Sequence, residues 1–253
     1  MRTDRWLRVL GMAAVGSLAA FGADLCGAAD VHGSYGFQLS GTTTIGGVDN
    51  PAPIASVGRL TFDGSGNVSG TTSVNFNGYF LGNPTAGKYE LRPDCSVTLS
   101  LQDPSGGFQH FTGKSAQGGG RVEILQSDEG AGAKGVMMRA PDSCNTQMFN
   151  GPYNFSMSGS STPLASGGPA GNMSAKATVQ ADGNGKLTVV RGEAQASGTY
   201  AVDSDCFVEM DLTVSGADAS ASSRLRGTLV NDGKEILAIE TDPRRVAAAR
   251  FAQ

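Results

Sequence analysis

Two histidines and two Asp-Gly-x-Gly loops are the features of this sequence that could most directly carry chemistry. His32 and His110 could act as general bases, but a base must be positioned by a partner group, and no catalytic motif surrounds either histidine. Asp63 and Asp182 open the two loops and could supply carboxylate oxygens to Ca²⁺. The sequence predicts no catalytic residue, so the loops are the remaining candidates for a chemical site.

The two loops favour hairpin turns over metal binding. Ca²⁺ takes about six to eight oxygen ligands, whereas each loop offers about one carboxylate. Lys186 also places a positive charge where the other loop has Asn67. Asp and Gly are the residues that tight turns require. We therefore predict turns, with no metal or cofactor site. Asp94 and Asp205 could pair as acid and base if folding brought them together, but a local turn role is preferred.

An internal repeat runs through the whole chain. The matching segments, in the same order in both copies, are 33–41 with 151–159, 63–67 with 182–186, 87–95 with 198–206, and 127–128 with 241–242. Each copy is therefore about 110 residues, a usual size for one domain. The repeat predicts two domains of the same fold, at 24–142 and 143–253.

The repeat also selects a pairing of the four cysteines. Each copy has one cysteine ahead of its first strand and one after an aspartate in its middle. Four cysteines allow three connectivities, and pairing within copies is the one that keeps the copies equivalent. We predict the disulfides Cys26–Cys95 and Cys144–Cys206. Closing such loops could stabilise each domain by roughly 4 kcal/mol.

The first 23 residues are predicted to be a secretory signal peptide. Three arginines precede an apolar stretch from Val9 to about Phe21, which is typical of export signals. This stretch is shorter than the ~20 residues that span a bilayer, so we expect no transmembrane span after signal removal. An alternative, lipidation of Cys26, is disfavoured because Ala23-Asp24-Leu25 does not match a bacterial lipobox. The predicted location is secreted or periplasmic.

Composition and alternation predict an all-β protein. The sequence has 37 Gly and only 17% charged residues. Such a composition favours short strands joined by tight turns. Tyr35, Phe37 and Leu39 alternate with small or polar residues, as in a strand buried on one face. About eight such strands in each copy most simply close into up-and-down antiparallel β-barrels, with β-sandwiches as the alternative. The candidate barrel-interior residues are Tyr35, Phe37, Leu39, Tyr89, Leu91, Tyr153, Phe155, Met157, Tyr200 and Val202.

Three further segments complete the predicted arrangement of strands and loops. We predict one strand from about Thr72 to Gly78. Residues 244–251 have helix-compatible alanines, but the repeat places them opposite the last strand of the first copy, so we predict a strand there. The Ser- and Gly-rich segment 160–171 has no counterpart in the first copy and is predicted to be a loop insertion.

The order of these motifs resembles a recurrent unit of uncharacterised exported bacterial proteins. In the first copy the unit reads Cys-x8-Tyr-x-Phe from Cys26, then Phe62–Asn67, Gly87–Cys95 and Ser127-Asp128. The resemblance covers nearly all of the mature chain and implies no activity. In general barrel shape alone, the unit is similar to lipocalins and avidins.

We expect a non-enzymatic exported protein that binds a small apolar ligand or a partner surface. Many inward positions carry small residues, and an eight-stranded barrel can hold one small ligand. A net charge of −4, with no basic cluster after the N-terminus, argues against a nucleic-acid partner. The alternatives are a structural or adhesive component of an envelope or matrix, and an enzyme whose acidic residues are brought together by folding. We expect no cofactor.

Overall fold

The computed structural model describes residues 26–27, 30–44, 51–104, 106–162, 171–191, 195–215 and 220–253. The predicted signal peptide, 1–23, and most of the predicted insertion, 160–171, lie outside the described residues. Within the described part of the chain, no helix is long and apolar enough to cross a membrane.

The first half of the chain is a closed antiparallel barrel of eight consecutive strands. β1 pairs with β2 along one edge and with β8 along the other, which closes the barrel. The strands are β1 (Gly33–Thr43), β2 (Ala52–Phe62), β3 (Asn67–Phe76), β4 (Tyr79–Leu91), β5 (Ser96–Gln102), β6 (Phe108–Ser115), β7 (Arg121–Gln126) and β8 (Lys134–Arg139).

The second half repeats this arrangement, with β9 pairing with both β10 and β16. Its strands are β9 (Asn150–Ser161), β10 (Asn172–Asp182), β11 (Lys186–Arg191), β12 (Gln195–Val202), β13 (Phe207–Ser215), β14 (Ser220–Val230), β15 (Glu235–Glu240) and β16 (Arg245–Ala252). Short 3-10 helices lie at Gln117–Gly119, Thr146–Met148 and Asn231–Gly233. The predicted all-β class and the two up-and-down barrels are confirmed, and the alternative of β-sandwiches is wrong for the part of the chain that the structure describes.

One strand prediction was wrong in its boundaries. The strand predicted from Thr72 to Gly78 ends at Phe76, because Asn77 and Gly78 both have positive φ angles, of 50° and 92°. This two-residue Asn-Gly turn reverses the chain directly into β4. As a result, Tyr79 begins a strand of 13 residues that the sequence pattern did not reveal.

Both barrels are closed at the end that carries the disulfide, which we call the closed end. In the first barrel, the Tyr35 hydroxyl donates to the Gly119 carbonyl at 2.7 Å, and the Tyr89 hydroxyl donates to the Val31 carbonyl at 2.9 Å. In the second, Tyr153 and Tyr200 donate to Gly233 and Phe149, each at 2.6 Å. Burial raises the pKa of all four tyrosines, which keeps the hydroxyl protonated as a donor.

The disulfides Cys26–Cys95 and Cys144–Cys206 are both present, with Cα–Cα distances of 5.1 and 4.9 Å. Each ties the segment before the first strand of its barrel to the turn after the fourth strand. The second cysteine of each pair has a left-handed backbone, with φ of 64° at Cys95 and 65° at Cys206. The repeat therefore extends to the backbone conformation of the turn.

The two barrels pack against each other through the outer faces of β1, β2 and β8 and of β14, β15 and β16. The buried apolar residues of this interface are Ala55, Val57, Val136, Met138, Ala140, Val230, Leu237, Ile239 and Val246. Gly36 allows the close approach, since a Cβ atom there would lie 2.2 Å from Val230 Cγ1. Gln38 Nε2 donates to the Ala238 and Ala249 carbonyls at 2.6 and 2.8 Å. The polar face of β1 is thus an interdomain contact.

Candidate functional site

A cavity of about 350 Å³ opens at the end of the first barrel opposite the disulfide, which we call the mouth. Its apolar lining residues are Phe37, Val74, Phe76, Tyr79, Leu81 and Leu101, and its other lining residues are Ser56, Thr72, Asn83, Thr85, Asp103, Gly107 and Gln109. The barrel interior therefore has two parts, a packed closed end and a hollow mouth.

The size of the inward side chains explains why the barrel is hollow at one end. At the closed end, the rings of Tyr35, Phe62 and Tyr89 pack edge to face with centroid distances of 5.2 and 4.9 Å, a favoured geometry for aromatic pairs. Nearer the mouth, β2 and β3 instead place Ser56 and Thr72 inward. These side chains are too small to meet at the barrel axis, so space remains above the aromatic layer.

The threonine hydroxyls in the cavity wall are engaged by the barrel's own backbone. Thr85 Oγ1 donates to the Gln102 carbonyl at 3.1 Å, and Thr72 Oγ1 donates to the Asn83 carbonyl at 3.5 Å. Both hydroxyls therefore already have an acceptor in the barrel wall. The lining consequently offers fewer free hydroxyl donors to a ligand than its residue types suggest.

One side of the mouth, formed by the first half of β4, extends beyond the rest of the rim and is apolar. β5 pairs with β4 only from Ala86 to Leu91, so the first half of β4 extends beyond its neighbour. In this extension Tyr79, Phe80 and Leu81 are 66%, 39% and 55% exposed. Large hydrophobic side chains exposed together beside a cavity are typical of a binding site.

Asp103 is the single charged side chain among the described residues that line the cavity. It opens the β5–β6 turn, where its Oδ1 accepts a hydrogen bond from the Gly107 N–H at 3.0 Å. No Lys or Arg side chain is among those described lining residues. The cavity therefore offers no counter-charge to an anionic ligand and suits a neutral apolar group.

The structure places the predicted interior residues inside the two barrels. Tyr35, Phe37, Leu39 and Tyr89 belong to the buried core of the first barrel, and the partly buried Leu91 packs against it. Tyr153, Tyr200 and Val202 belong to the core of the second, with the partly buried Phe155 and Met157 packed against it. Of these ten residues, Phe37 also lines the mouth cavity.

A contact between His110 and Asp128 was missed from the sequence. His110 Nδ1 lies 2.7 Å from Asp128 Oδ1, and Asp128 Oδ2 accepts hydrogen bonds from the His110 N–H and from Gln126 Nε2. Burial opposes ionisation of Asp128, but these hydrogen bonds outweigh it and lower its pKa. The pair lies on the outer wall, where His110 stacks on Phe108, and it fastens β6 to the end of β7.

A backbone contact beside this pair is repeated in the second barrel. Ser127 N–H donates to the His110 carbonyl, and in the second barrel Thr241 N–H donates to the Arg224 carbonyl. His110 and Arg224 are therefore equivalent, and each lies beside the Ser/Thr-Asp motif of its own barrel. In the second barrel the Arg224 side chain instead donates to Asp211 Oδ1 at 3.1 Å, so the repeat does not predict the side-chain contact between His110 and Asp128.

The aspartates that were candidates for chemistry act within their own turns. Asp63 accepts hydrogen bonds from the backbone and side chains of Ser65 and Asn67, and these contacts hold its pKa well below the usual range. Asp182 Oδ1 accepts from two backbone N–H groups of its loop, at 2.7 and 2.9 Å, which also lowers its pKa. The Asp-Gly loops are turns.

Asp94 and Asp205 are also used locally. Hydrogen bonds from the hydroxyl and backbone N–H of Ser96 lower the pKa of Asp94 to about 2. The Asp205 carbonyl accepts a hydrogen bond from Arg59 Nη1 at 3.1 Å, across the contact between the barrels. Neither aspartate is among the residues that line the mouth cavity.

No family model matches the sequence, and no curated protein is significantly similar to it. Isotype 1 transferrin binding protein B from serogroup B Neisseria meningitidis aligns with 88% of this chain and 75% of its own, at 7% identity and a TM-score of 0.37. The Myxococcus xanthus hemagglutinin, solved with a mannopentaose, aligns over 86% and 99%, at 13% identity and a TM-score of 0.17. At these TM-scores, neither alignment supports a conclusion about this protein.

Proposed function

We propose that the protein is an exported, non-enzymatic binding protein whose first barrel takes an apolar ligand into its mouth cavity. The observation that carries this proposal is the open cavity of about 350 Å³ in a barrel that is otherwise packed. Pockets of this kind are the usual places where proteins bind small molecules. Two disulfides in a chain with a predicted signal peptide support a role outside the cytoplasm.

Three features of the site support an apolar ligand. The cavity volume falls within the usual range for small-ligand sites, about 300–1,000 Å³. Phe37, Val74 and Leu101 provide apolar walls, and Tyr79 and Leu81 extend them beyond the mouth. Covering these exposed side chains would gain about 25 cal/mol for each Å² of apolar surface removed from water.

An acid–base enzyme would need two carboxyl groups that converge in a cavity. Among the described residues that line the mouth, Asp103 is the one acidic side chain. The geometry therefore favours binding over that alternative. No specific contact among the described residues favours the structural or adhesive role.

Titration of the mature protein with a neutral solvatochromic dye, followed by fluorescence, tests the proposal. We expect saturable binding at one site. Ser56 is buried and lines the cavity, so Ser56→Phe should fill the space and weaken dye binding at least tenfold. Ser69→Phe adds the same ring on the exposed outer face of β3 and is the matched control.

The control variant should bind the dye as the unmodified protein does. Thermal unfolding should first show that both variants are folded. Absence of dye binding to the unmodified protein, or equal affinity in the two variants, would rule out the mouth cavity as the site.

A further inference from the structure

We infer that the apolar ligand of the mouth cavity is carried on an extended peptide, which pairs with the open edge of β4 as an additional strand. This inference rests on the proposed function and specifies its ligand class. Alternate side chains of the added strand would enter the cavity, and its backbone would hydrogen-bond to β4.

The first half of β4 has a partner strand on one side only, within the described residues. β3 pairs with β4 without interruption from Lys88 to Tyr79, whereas β5 pairs with it only from Leu91 to Ala86. The edge that would face β5 is therefore open from Tyr79 to Thr85. Exposed edges of this kind are templates for pairing with another extended chain.

The alternation of hydrogen-bonding direction along β4 shows which of its backbone groups face the open side. At the closed end of β4, Tyr89 N–H donates to the Gly66 carbonyl at 3.0 Å, on the β3 side. Direction alternates along an antiparallel strand, so the odd-numbered residues of β4 face β3 and the even-numbered ones face away. Phe80 and Gly82 thus direct their N–H and C=O groups toward the open side.

The position of Pro84 agrees with this alternation. Proline has no N–H, and an even-numbered position costs the β3–β4 ladder no hydrogen bond. Pro84 is also where the run of open donors ends, before Ala86 pairs with Gln102 of β5. The open edge consequently offers two donors and two acceptors, from Phe80 and Gly82, followed by one further carbonyl.

This pattern fits a peptide better than a hydrocarbon or a second folded copy. Groups of a strand that face one side recur at about 6.8 Å, which is the repeat of any extended polypeptide. A lipid chain could fill the cavity but could not satisfy these groups. Pairing along the open edge, residues 79–85, would also bury far less than the ~1,200 Å² that a stable dimer usually buries.

The cavity lies on the side of β4 where an added strand would place alternate side chains. Tyr79, Leu81 and Asn83 are odd-numbered residues that line the cavity. Side chains on the same face of an added strand would point the same way, past Leu81 and toward Val74 and Leu101. The backbone edge and the apolar cavity therefore form one continuous surface.

The second barrel holds this edge in place. Asn75, fully buried at the end of β3, donates through Nδ2 to the Glu240 and Arg245 carbonyls, both at 2.8 Å. Its Oδ1 accepts a hydrogen bond from the N–H of Gly78, in the turn that leads into β4. A preformed edge spends less binding energy on ordering itself, which favours capture of a short peptide.

The test uses a fluorescent peptide of sequence Thr-Val-Thr-Phe-Thr-Val-Thr and the mature protein, with binding followed by anisotropy. Two N-methylated peptides carry the methyl groups either on the threonine nitrogens or on the apolar ones. We expect one methylated peptide to lose at least tenfold in affinity and the other to bind nearly as the parent does. Loss of affinity on threonine methylation would indicate antiparallel addition. In that arrangement, the peptide residues that hydrogen-bond to Phe80 and Gly82 have side chains on the same outer face as these residues, so they are the threonines.

A substitution in β4 provides a second, independent test of peptide pairing. Gly82→Pro removes an N–H that faces the open side and leaves the β3 ladder intact, so peptide affinity should fall at least tenfold and neutral-dye affinity should change less than twofold. Gly82→Ala, where an added Cβ meets nothing within 4 Å, is the matched control. If Gly82→Pro fails to fold by circular dichroism, the methylated peptides decide with the unmodified protein.

The outcomes separate this inference from the proposed function. Dye binding without peptide binding, or equal affinity for the two methylated peptides, would overturn the inference and leave the cavity as a small-ligand site. Failure of both dye and peptide would remove the proposed function as well. If the protein forms a concentration-dependent dimer that Gly82→Pro abolishes, the open edge pairs with a second copy of the chain. That result would also overturn the inference of a peptide ligand.

Discussion

The turn that carries the second cysteine of each barrel combines a disulfide with an unfavourable backbone conformation. Cys95 and Cys206 have φ angles of 64° and 65°. These values lie in the left-handed region that favours glycine. In the first barrel, Cys95 N–H donates to the Arg92 carbonyl at 2.8 Å, which closes the turn. Glycine would fit this backbone better, but it could not form the disulfide.

Replacing Cys95 by Gly or by Ser, each together with Cys26→Ser, separates these two effects. Loss of the disulfide should destabilise the first barrel by roughly 4 kcal/mol at most in both variants. The glycine variant should retain about 0.5–1 kcal/mol more stability, because it relieves the left-handed strain but adds unfolded-state entropy. Denaturant unfolding measures the difference. A serine variant at least as stable as the glycine variant would show that the turn is not strained.

Asp242 links stability to acidic pH. Its hydrogen bonds with the Arg244 side chain lower its pKa from 3.8 to about 2. A carboxyl group with a lowered folded-state pKa stabilises the fold above its unfolded pKa, and this stabilisation is lost as pH falls toward the folded value. The advantage of the unmodified protein over Asp242→Asn should therefore be full above about pH 4 and vanish near pH 2.

Denaturant unfolding at a series of pH values between 2 and 6 checks this dependence. The pH range follows from the two pKa values of 3.8 and about 2. A stability difference that stays constant across the series would contradict the assigned role of Asp242.

Among individual residues, pairing was easier to predict than contact. Cys26–Cys95 followed from the repeat, because one connectivity alone preserves the equivalence of the copies. The contact between His110 and Asp128 did not, because the sequence does not show the register that sets His110 of β6 beside the residues that follow β7. Likewise, no pattern in the sequence shows that the Tyr35 hydroxyl bonds to the Gly119 carbonyl.

Among the strands, those with regular alternation were the predictable ones. Tyr35, Phe37 and Leu39 alternate with small or polar residues and lie in β1 as expected. The start of β4 reads Tyr-Phe-Leu-Gly-Asn-Pro and alternates poorly, because both its faces are partly exposed at the mouth. The segment that matters most to the proposed site was therefore the one that strand periodicity could not identify.

Two amide side chains, the buried Asn75 and the partly buried Gln38, join the barrels at different elements, and this gives a matched pair of variants. Asn75 connects the β3–β4 hairpin to the β15–β16 turn, whereas Gln38 connects the middle of β1 to β15 and β16. Asn75→Asp and Gln38→Glu each replace a donor by a carboxyl group that faces two carbonyl oxygens. Each change should cost about 1–3 kcal/mol, as expected for lost buried hydrogen bonds.

The two variants should differ in where the structure loosens. Asn75→Asp should increase amide hydrogen exchange in the hairpin from Phe76 to Leu81, because that hairpin loses its anchor on the second barrel. Gln38→Glu should leave amide exchange in this hairpin unchanged, even where it lowers the free energy of unfolding as much as Asn75→Asp does. Equal protection of the hairpin in both variants would show that Asn75 does not hold the mouth.

For the whole molecule, duplication explains the closed ends of the barrels but not their relationship to each other. Both closed ends use two tyrosine hydroxyls and one disulfide, as the repeat implies. The interdomain contact uses non-equivalent strands, with β2 of the first barrel against β14, β15 and β16 of the second. No internal symmetry predicts such a contact, which is why the outer face of β1 could not be identified as an interface from the sequence.

This asymmetric packing gives the two barrels different roles. The second barrel anchors the β3–β4 hairpin through Asn75, and the first barrel carries the mouth cavity beneath that hairpin. We propose that an apolar ligand binds in this cavity rather than on an outer surface of the protein.

NMR of methyl-labelled protein during titration with a neutral apolar ligand would locate the binding site. We expect saturable shift changes at Val74, Leu81 and Leu101 in the mouth, with little change at Val208 and Leu225 in the core of the second barrel. Unchanged methyl signals at the mouth, together with saturable changes elsewhere in the protein, would show that the ligand binds outside the cavity.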